Sequence, residues 1–260
     1  MSQVDPHAVI ADDVEIGPFC VVGPKVTLGA GCRLHSHVVI EGRTTIGREN
    51  AFFPHSVIGA APQDLKYRGS DTRLEIGDGN TFRESATVHV GTEDGGGLTR
   101  IGNGNLIMIN CHIAHDVILA DHSILANNVM LAGHVVCGSH VNMGGAVGVN
   151  HFVTIGDFAY IGGQARVTHD VPPFVKVDGA NVVRALNKMG LQRAGFSKQD
   201  IEALDDAFRV LFARETPLSV TLKQFETDNC CNRHVQALVD FLRRRSEGRH
   251  GRFLESRRTA

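Results

Sequence analysis

The sequence predicts a mainly β protein: a parallel β-helix of six-residue repeats followed by a C-terminal α-helical domain. Three observations carry this. An aliphatic residue recurs every six positions through most of the chain, Pro172-Pro173 ends that pattern, and from about Asn181 the apolar spacing becomes helical. A content of 29 Gly with no Trp in 260 residues suits a turn-rich array better than an ordinary globular core.

The repeat runs through Val4, Ile10, Ile16, Val22, Leu28, Leu34, Ile40, Ile46, Phe52 and Ile58, and returns in phase at Ile76, Phe82 and Val88. After a single shift it continues from Ile101 and Ile107 to Ile161 and Val167. The following position is often glycine, as at Gly17, Gly47, Gly77, Gly102 and Gly156, and the fifth position is small or branched, as at Cys20, Val26, Cys111 and Val117. Alternating strands have a period of two and helices one of 3.6, so a period of six is neither. It fits a short strand plus a tight turn, with glycine where the backbone needs unusual dihedrals. Three units close one triangular coil of 18 residues, and stacked coils bury a continuous aliphatic prism. A sandwich of short strands would show turn signals every 8–12 residues, roughly, instead.

This places the prism at residues 1–178 and a helical domain with a basic tail at 179–260. Two polar segments interrupt the repeat, 61–73 (APQDLKYRGSDTR) and 92–100 (TEDGGGLTR). Both are expected to loop out of the prism, and solenoid loops tend to gather on one functional face. The first loop brings Gln63, Asp64, Lys66, Tyr67 and Arg68. Beyond the prolines, VVRALNKMGLQRAGF reads as helical, and Ser197-x-x-Asp200 is an N-cap signature for the next helix. A shorter helix is expected after Pro217 and another over roughly Arg233–Arg245. These helices would cover the open end of the prism.

Composition narrows the function classes. A net charge of −2 carries no nucleic-acid footprint. No apolar run approaches the roughly 18 residues a membrane span needs. The start, MSQVDPHAVIADD, lacks the basic region and apolar stretch of a signal peptide, so a cytoplasmic protein is expected. Cysteines at 20, 32, 111, 137, 230 and 231 contain no C-x-x-C pair and are expected to be reduced.

The chemistry concentrates in residues 107–135, which hold His112, His115, Asp116, His122 and His134. Residues 18 apart should occupy equivalent places on adjacent coils, about 4.8 Å apart. His115, Gly133, His151 and His169 follow that interval, and His134 lies one residue past the rung of Gly133. His115, His134 and His151 can therefore line one edge, with His112 three residues before the first. His122 is set aside as having no aligned partner. Such an edge suits general-base catalysis, a zinc site of the carbonic anhydrase type, or a scaffold without chemistry. Asp116, beside His115, can orient and support an imidazole base.

The stretches IGPFCVVGP, PQDLKY, RESATVH, GGGLT, NLIMINCHIAHD, LANNVMLAGHV, DVPPFV and GLQRAGFS resemble, over nearly the whole chain, the bacterial UDP-N-acetylglucosamine O-acyltransferases of lipid A synthesis. The resemblance implies a left-handed coil and a homotrimer with active sites between neighbouring prisms. It implies transfer of an (R)-3-hydroxyacyl chain from acyl carrier protein to the 3-position of UDP-N-acetylglucosamine, with no metal and no free cofactor. His115 would be the general base, Asp116 its support, and the Gly133 N–H the oxyanion donor. Gln63, Asp64, Lys66, His112, His134 and His151 would bind substrate, and Asn187 and Arg193 the nucleotide. Gly163 matches the position that limits acyl-chain length. The chain departs from the family at Asn150-His151, where His-Gln is usual, at Asn181 within the usual G-N-H-A segment, at Met189 in place of Glu, and at Ala194 in place of a second arginine. These departures leave a related amino-sugar nucleotide, giving an amide, as an alternative acceptor. The arginines Arg243–Arg245 of the basic tail are expected to steer the acidic acyl carrier protein.

Overall fold

The computed structural model describes residues 1–213, 216–227 and 232–257. Most of the chain winds into three parallel sheets, each strand pairing with the strand one coil later. The first sheet runs from Gln3–Val4 to Arg166–Val167 and the second from Val9–Ile10 to Thr154–Ile155. The third runs from Glu15–Ile16 through Tyr160–Ile161 to Val175–Asp178 and ends on Val182–Leu186. Strands two residues long suffice because each contributes one inward side chain and one outward. Ile40, Ile58, Val88, Ile113 and Leu131 form one fully buried column, and Phe52 stacks on Phe82 at 5.0 Å.

The pairing register shows how the two polar segments are accommodated. Most coils are 18 residues, as in His112 opposite Met130. Ile46 pairs with Ile76, and Ile76 with Ile101, so two successive coils are longer by 12 and 7 residues. Twelve is two repeats and leaves the phase intact; seven produces the single shift. Both excursions are shorter than their composition suggests. Arg73–Ile76 and Leu98–Ile101 are four-residue strands of the second sheet, so Arg73 and Leu98–Arg100 lie in the ladder.

Most corners carry a left-handed residue, and many of these are not glycine: Asp116, His134, Phe152, His122, His140 and Phe158 all have φ between 56° and 63°. Stacking compensates part of the backbone cost of a non-glycine residue there. His122 is not without an aligned partner, which corrects the expectation above: it stacks on His140 at 5.1 Å, and His140 on Phe158 at 4.7 Å. Inside the same corner, Asn50, Asn80 and Asn105 form a buried ladder in which each side-chain oxygen accepts from the next coil. Cys20, Cys32, Cys111 and Cys137 are free and buried; Cys230 and Cys231 lie outside the described residues.

Past the prolines the helical reading is only partly right. Val182–Leu186 is a strand, antiparallel to Val175–Asp178, and helix begins only at α1 (Lys188–Arg193). Asn187 caps α1, accepting from Gly190 N, and Ser197 caps α2 (Lys198–Leu211), accepting from Asp200 N. α3 (Leu218–Thr227) and α4 (Arg233–Ser246) pack with α2 around Leu204, Leu238 and Leu242. The short α5 (Phe253–Ser256) turns back toward the prism. No helix among the described residues is long and apolar enough to cross a membrane.

Candidate active site

The corner between the first and second sheets gathers the unusual chemistry. Both excursions leave the prism there, on consecutive coils, and the next coils bring His115-Asp116, Gly133-His134 and His151-Phe152 to the same edge. Main-chain bonds set the stagger: His134 N–H donates to His115 O at 3.1 Å and Phe152 N–H to Gly133 O at 3.2 Å.

His115 and Asp116 form a close pair, with Nδ1 2.8 Å from Asp116 Oδ2. The carboxylate is itself held by the second excursion. Thr92 N–H donates to Oδ1 at 2.9 Å and Thr92 Oγ1 to Oδ2 at 2.6 Å, while Asp116 N–H donates to Thr99 Oγ1 at 2.8 Å. Burial works to raise the Asp116 pKa, but the bonds from His115 and Thr92 outweigh it and hold the group below its usual value. An ionised Asp116 accepting at Nδ1 fixes the tautomer that leaves Nε2 basic. His134 stands edge-on to His115 with centroids 5.1 Å apart and stacks on Phe152 at 4.4 Å.

Glycine is required at two points. A Cβ on Gly133 would lie 2.5 Å from His115 Cε1 and 2.7 Å from Nε2, and one on Gly95 would overlap the Asp116 carboxyl. Gly133 N–H donates to no carbonyl among the described residues, whereas the N–H groups of Ala132 and His134 both do.

His115 sits where two hollows meet. The larger, about 1130 Å³, is lined by Asp64, Lys66, His115, Gly133, His134 and His151 together with the C-terminal segment. The smaller, about 600 Å³, spreads over the first sheet past Gln63, His89, His112, Met130 and Gly148 to Arg166. His112 is fixed by Thr87 Oγ1 at 2.8 Å and by His89, whose ring stands edge-on at 4.7 Å. Burial, reinforced by His112 and His115, pushes His89 down to about 4.

The structure thus brings together Gln63, Asp64, Lys66, His112, His115, Asp116, Gly133, His134 and His151. Three expected residues lie elsewhere on the chain. Asn187 is buried, capping α1 and donating to Phe158 O at 2.9 Å; Arg193 is exposed on α1; Gly163 abuts Gly145 at the corner between the third and first sheets. His169 also leaves the ladder, packing against Gly251. Residue spacing missed Thr92, Thr99, Gly95 and His89. Their signal lies in the 25-residue coil, which sets Thr92 24 residues before Asp116 and not 18. Of Arg243–Arg245, Arg243 meets Asp240 at 3.3 Å and half-buried Arg245 feels the buried Asp170, whereas Arg244 is exposed over the Phe241 ring at 5.8 Å.

Ligand atoms of His115, Asp116 and His134 all lie within 4.8 Å of one another, close enough to hold a cation. Yet His115 Nδ1 and both Asp116 oxygens are already engaged with each other and with Thr92, the arrangement of an oriented acid–base pair.

A stacked prism of six-residue repeats with a buried carboxylate behind a cleft imidazole defines a hexapeptide-repeat acyltransferase. The profile described as UDP N-acetylglucosamine O-acyltransferase, domain 2, matches residues 170–251, and that of the bacterial transferase hexapeptide (six repeats) matches 7–42 and 98–133. LpxA of Acinetobacter baumannii is 43% identical over 93% of this chain and 94% of its own, with a TM-score of 0.88. The UDP-N-acetylglucosamine O-acyltransferase of Moraxella catarrhalis gives the same figures. The Francisella novicida UDP-N-acetylglucosamine acyltransferase is 35% identical over 92% of this chain and 88% of its own, also at 0.88. The chain belongs to the UDP-N-acetylglucosamine O-acyltransferase family.

Proposed function

We propose that the protein transfers an (R)-3-hydroxyacyl chain from acyl carrier protein to the 3-hydroxyl of UDP-N-acetylglucosamine, the first step of lipid A biosynthesis, in the cytoplasm. The observation that carries the mechanism is the Thr92–Asp116–His115 chain of hydrogen bonds ending beside Gly133. His115 Nε2 removes the proton of the sugar 3-hydroxyl as that oxygen attacks the thioester carbon. The imidazolium is stabilised by Asp116, and the new oxyanion accepts from Gly133 N–H, a contribution of about 3–4 kcal/mol in comparable sites. Collapse breaks the C–S bond, and the imidazolium returns its proton to the leaving thiolate. Asp64, Lys66, His134 and His151 hold the sugar nucleotide, with Gln63 and His112 on the side of the smaller hollow.

Asn187, Arg193 and Gly163 keep their assigned roles only if a neighbouring chain supplies them. Their distance in the fold from the His115 corner is what a homotrimer with sites between prisms would require. Asn187 then acts mainly by shaping the start of α1. An amide-forming acceptor remains the alternative, and equal turnover of a 3-amino nucleotide sugar would support it.

The test incubates the protein with UDP-N-acetylglucosamine and hydroxyacyl carrier proteins of several chain lengths, reading products by mass spectrometry. A 3-O-acylated nucleotide sugar is expected; no product with any donor would overturn the assignment. The His115, Asp116 and His134 cluster also invites metal analysis of the purified protein, and stoichiometric zinc would contradict the metal-free mechanism.

A further inference from the structure

The C-terminal segment after α4 does not trail into solvent. It folds onto the corner that carries His115, and its attachment is specific. Asp170, buried one residue past His169, accepts from Thr154 N–H and Phe253 N–H, each at 2.7 Å, and its own N–H donates to Gly251 O at 2.8 Å. Arg252 is buried, donating to Thr168 O at 3.0 Å and meeting Glu255 at 3.3 Å. Gly251 has φ +68°, and a Cβ there would lie 2.6 Å from the His169 ring. The segment is therefore fitted to this one place.

Its effect is to set Arg249, Leu254, Glu255 and Arg257 in the lining of the larger hollow, with Lys66, His115 and His134. Arg252 and Glu255 are consumed in the attachment. Arg249 and Arg257 are exposed, and neither guanidinium is paired with a carboxylate among the described residues; Arg257 lies over the Phe253 ring at 4.6 Å. Of the other acids in the same hollow, Asp116 is engaged by His115 and Thr92, Asp64 accepts from Lys66 N–H, and Asp94 lies in the turn Glu93–Gly95 of the second excursion.

We infer that Arg249 and Arg257 form a phosphate-binding wall of the active site, contacting a phosphate ester of a substrate bound at His115. The inference rests on the proposed function and adds residues to it. A planar guanidinium offers paired donors to phosphate oxygens, and Lys66 supplies a third cation. Two substrates carry such a group: the nucleotide sugar its diphosphate, and the acyl carrier its phosphopantetheine phosphodiester.

Arg249→Gln, Arg257→Gln and the double variant separate these. Because both side chains are exposed, Tm should stay at the wild-type value. Michaelis constants for UDP-N-acetylglucosamine and for hydroxyacyl carrier protein are measured separately, beside direct titration of the enzyme with UDP and with 4′-phosphopantetheine. One Michaelis constant is expected to rise about tenfold or more in the double variant with kcat nearly unchanged, and lysine at both positions should restore part of it. A rise on the UDP side assigns the diphosphate, and one on the carrier side the phosphodiester. Both constants within about twofold of wild type, or a loss confined to kcat, would overturn the inference. Failure of the wild type to acylate the sugar nucleotide would instead sink the proposed function, while the two titrations would still decide the wall.

Discussion

Gly133 links the two halves of the catalytic corner, because the space its missing side chain leaves is filled by the His115 imidazole. Gly133→Ala should push that ring off its Asp116 bond and lower kcat/KM by about 100-fold, with little loss of thermal stability. Steady-state kinetics beside a melting curve checks this. His89 makes a different prediction. Its ring is buried, its Nδ1 has no hydrogen-bond partner among the described residues, and its pKa stands at about 4. The unfolded chain therefore binds a proton at His89 that the folded one refuses. The stability this represents is complete above about pH 6.5 and is lost as pH falls toward 4, an effect on the order of 3 kcal/mol. Replacing His89 with Leu should flatten the acid side of a Tm-against-pH curve between those limits; an unchanged slope would contradict it. At this scale numbering alone revealed His115, Gly133 and His134, since all three lie on plain 18-residue coils. It could not reveal Thr92 or His89, whose coil is seven residues longer.

Among the elements, the second excursion matters most to the site. Its single 3₁₀ turn, Glu93–Gly95, follows Thr92 and brings Gly95 against the Asp116 carboxyl. The segment thus acts as a clamp on the carboxylate, a role that the polar composition of TEDGGGLTR does not reveal. Thr92→Val removes the one hydroxyl bond that, with His115 and the Thr92 N–H, keeps Asp116 ionised, and Gly95→Ala displaces the carboxyl. Both should reduce kcat by roughly tenfold or more while leaving assembly intact, as measured by kinetics with native mass spectrometry. Elsewhere the sequence misled for identifiable reasons. Val182–Leu186 is short and apolar, and such runs do not separate strand from helix by period. Its burial alternates because it pairs with Val175–Asp178. The C-terminal arginines read as one basic tail, but Asp170 draws the chain back, so that Arg252 is buried in the attachment while Arg249 and Arg257 line the larger hollow.

For the whole molecule, the architecture was legible because each coil rests only on its neighbours, so a constant period is itself the fold. A single period does not convey whether corners of neighbouring chains meet. Asn187, Arg193 and Gly163 lie away from the His115 corner, so the roles proposed for them require a second chain at each site. Native mass spectrometry should find three copies of the 28.1 kDa chain, and activity per chain should fall on dilution below the concentration at which the assembly dissociates; full activity in a stable monomer would contradict this. The central claim is that one imidazole moves the proton. Its most direct test compares acyl transfer by His115→Ala and wild-type enzyme under saturating substrates, in preparations shown to have the same mass and Tm. A loss on the order of 10²–10⁴-fold or greater is expected. Activity in the variant within a few-fold of wild type would contradict it.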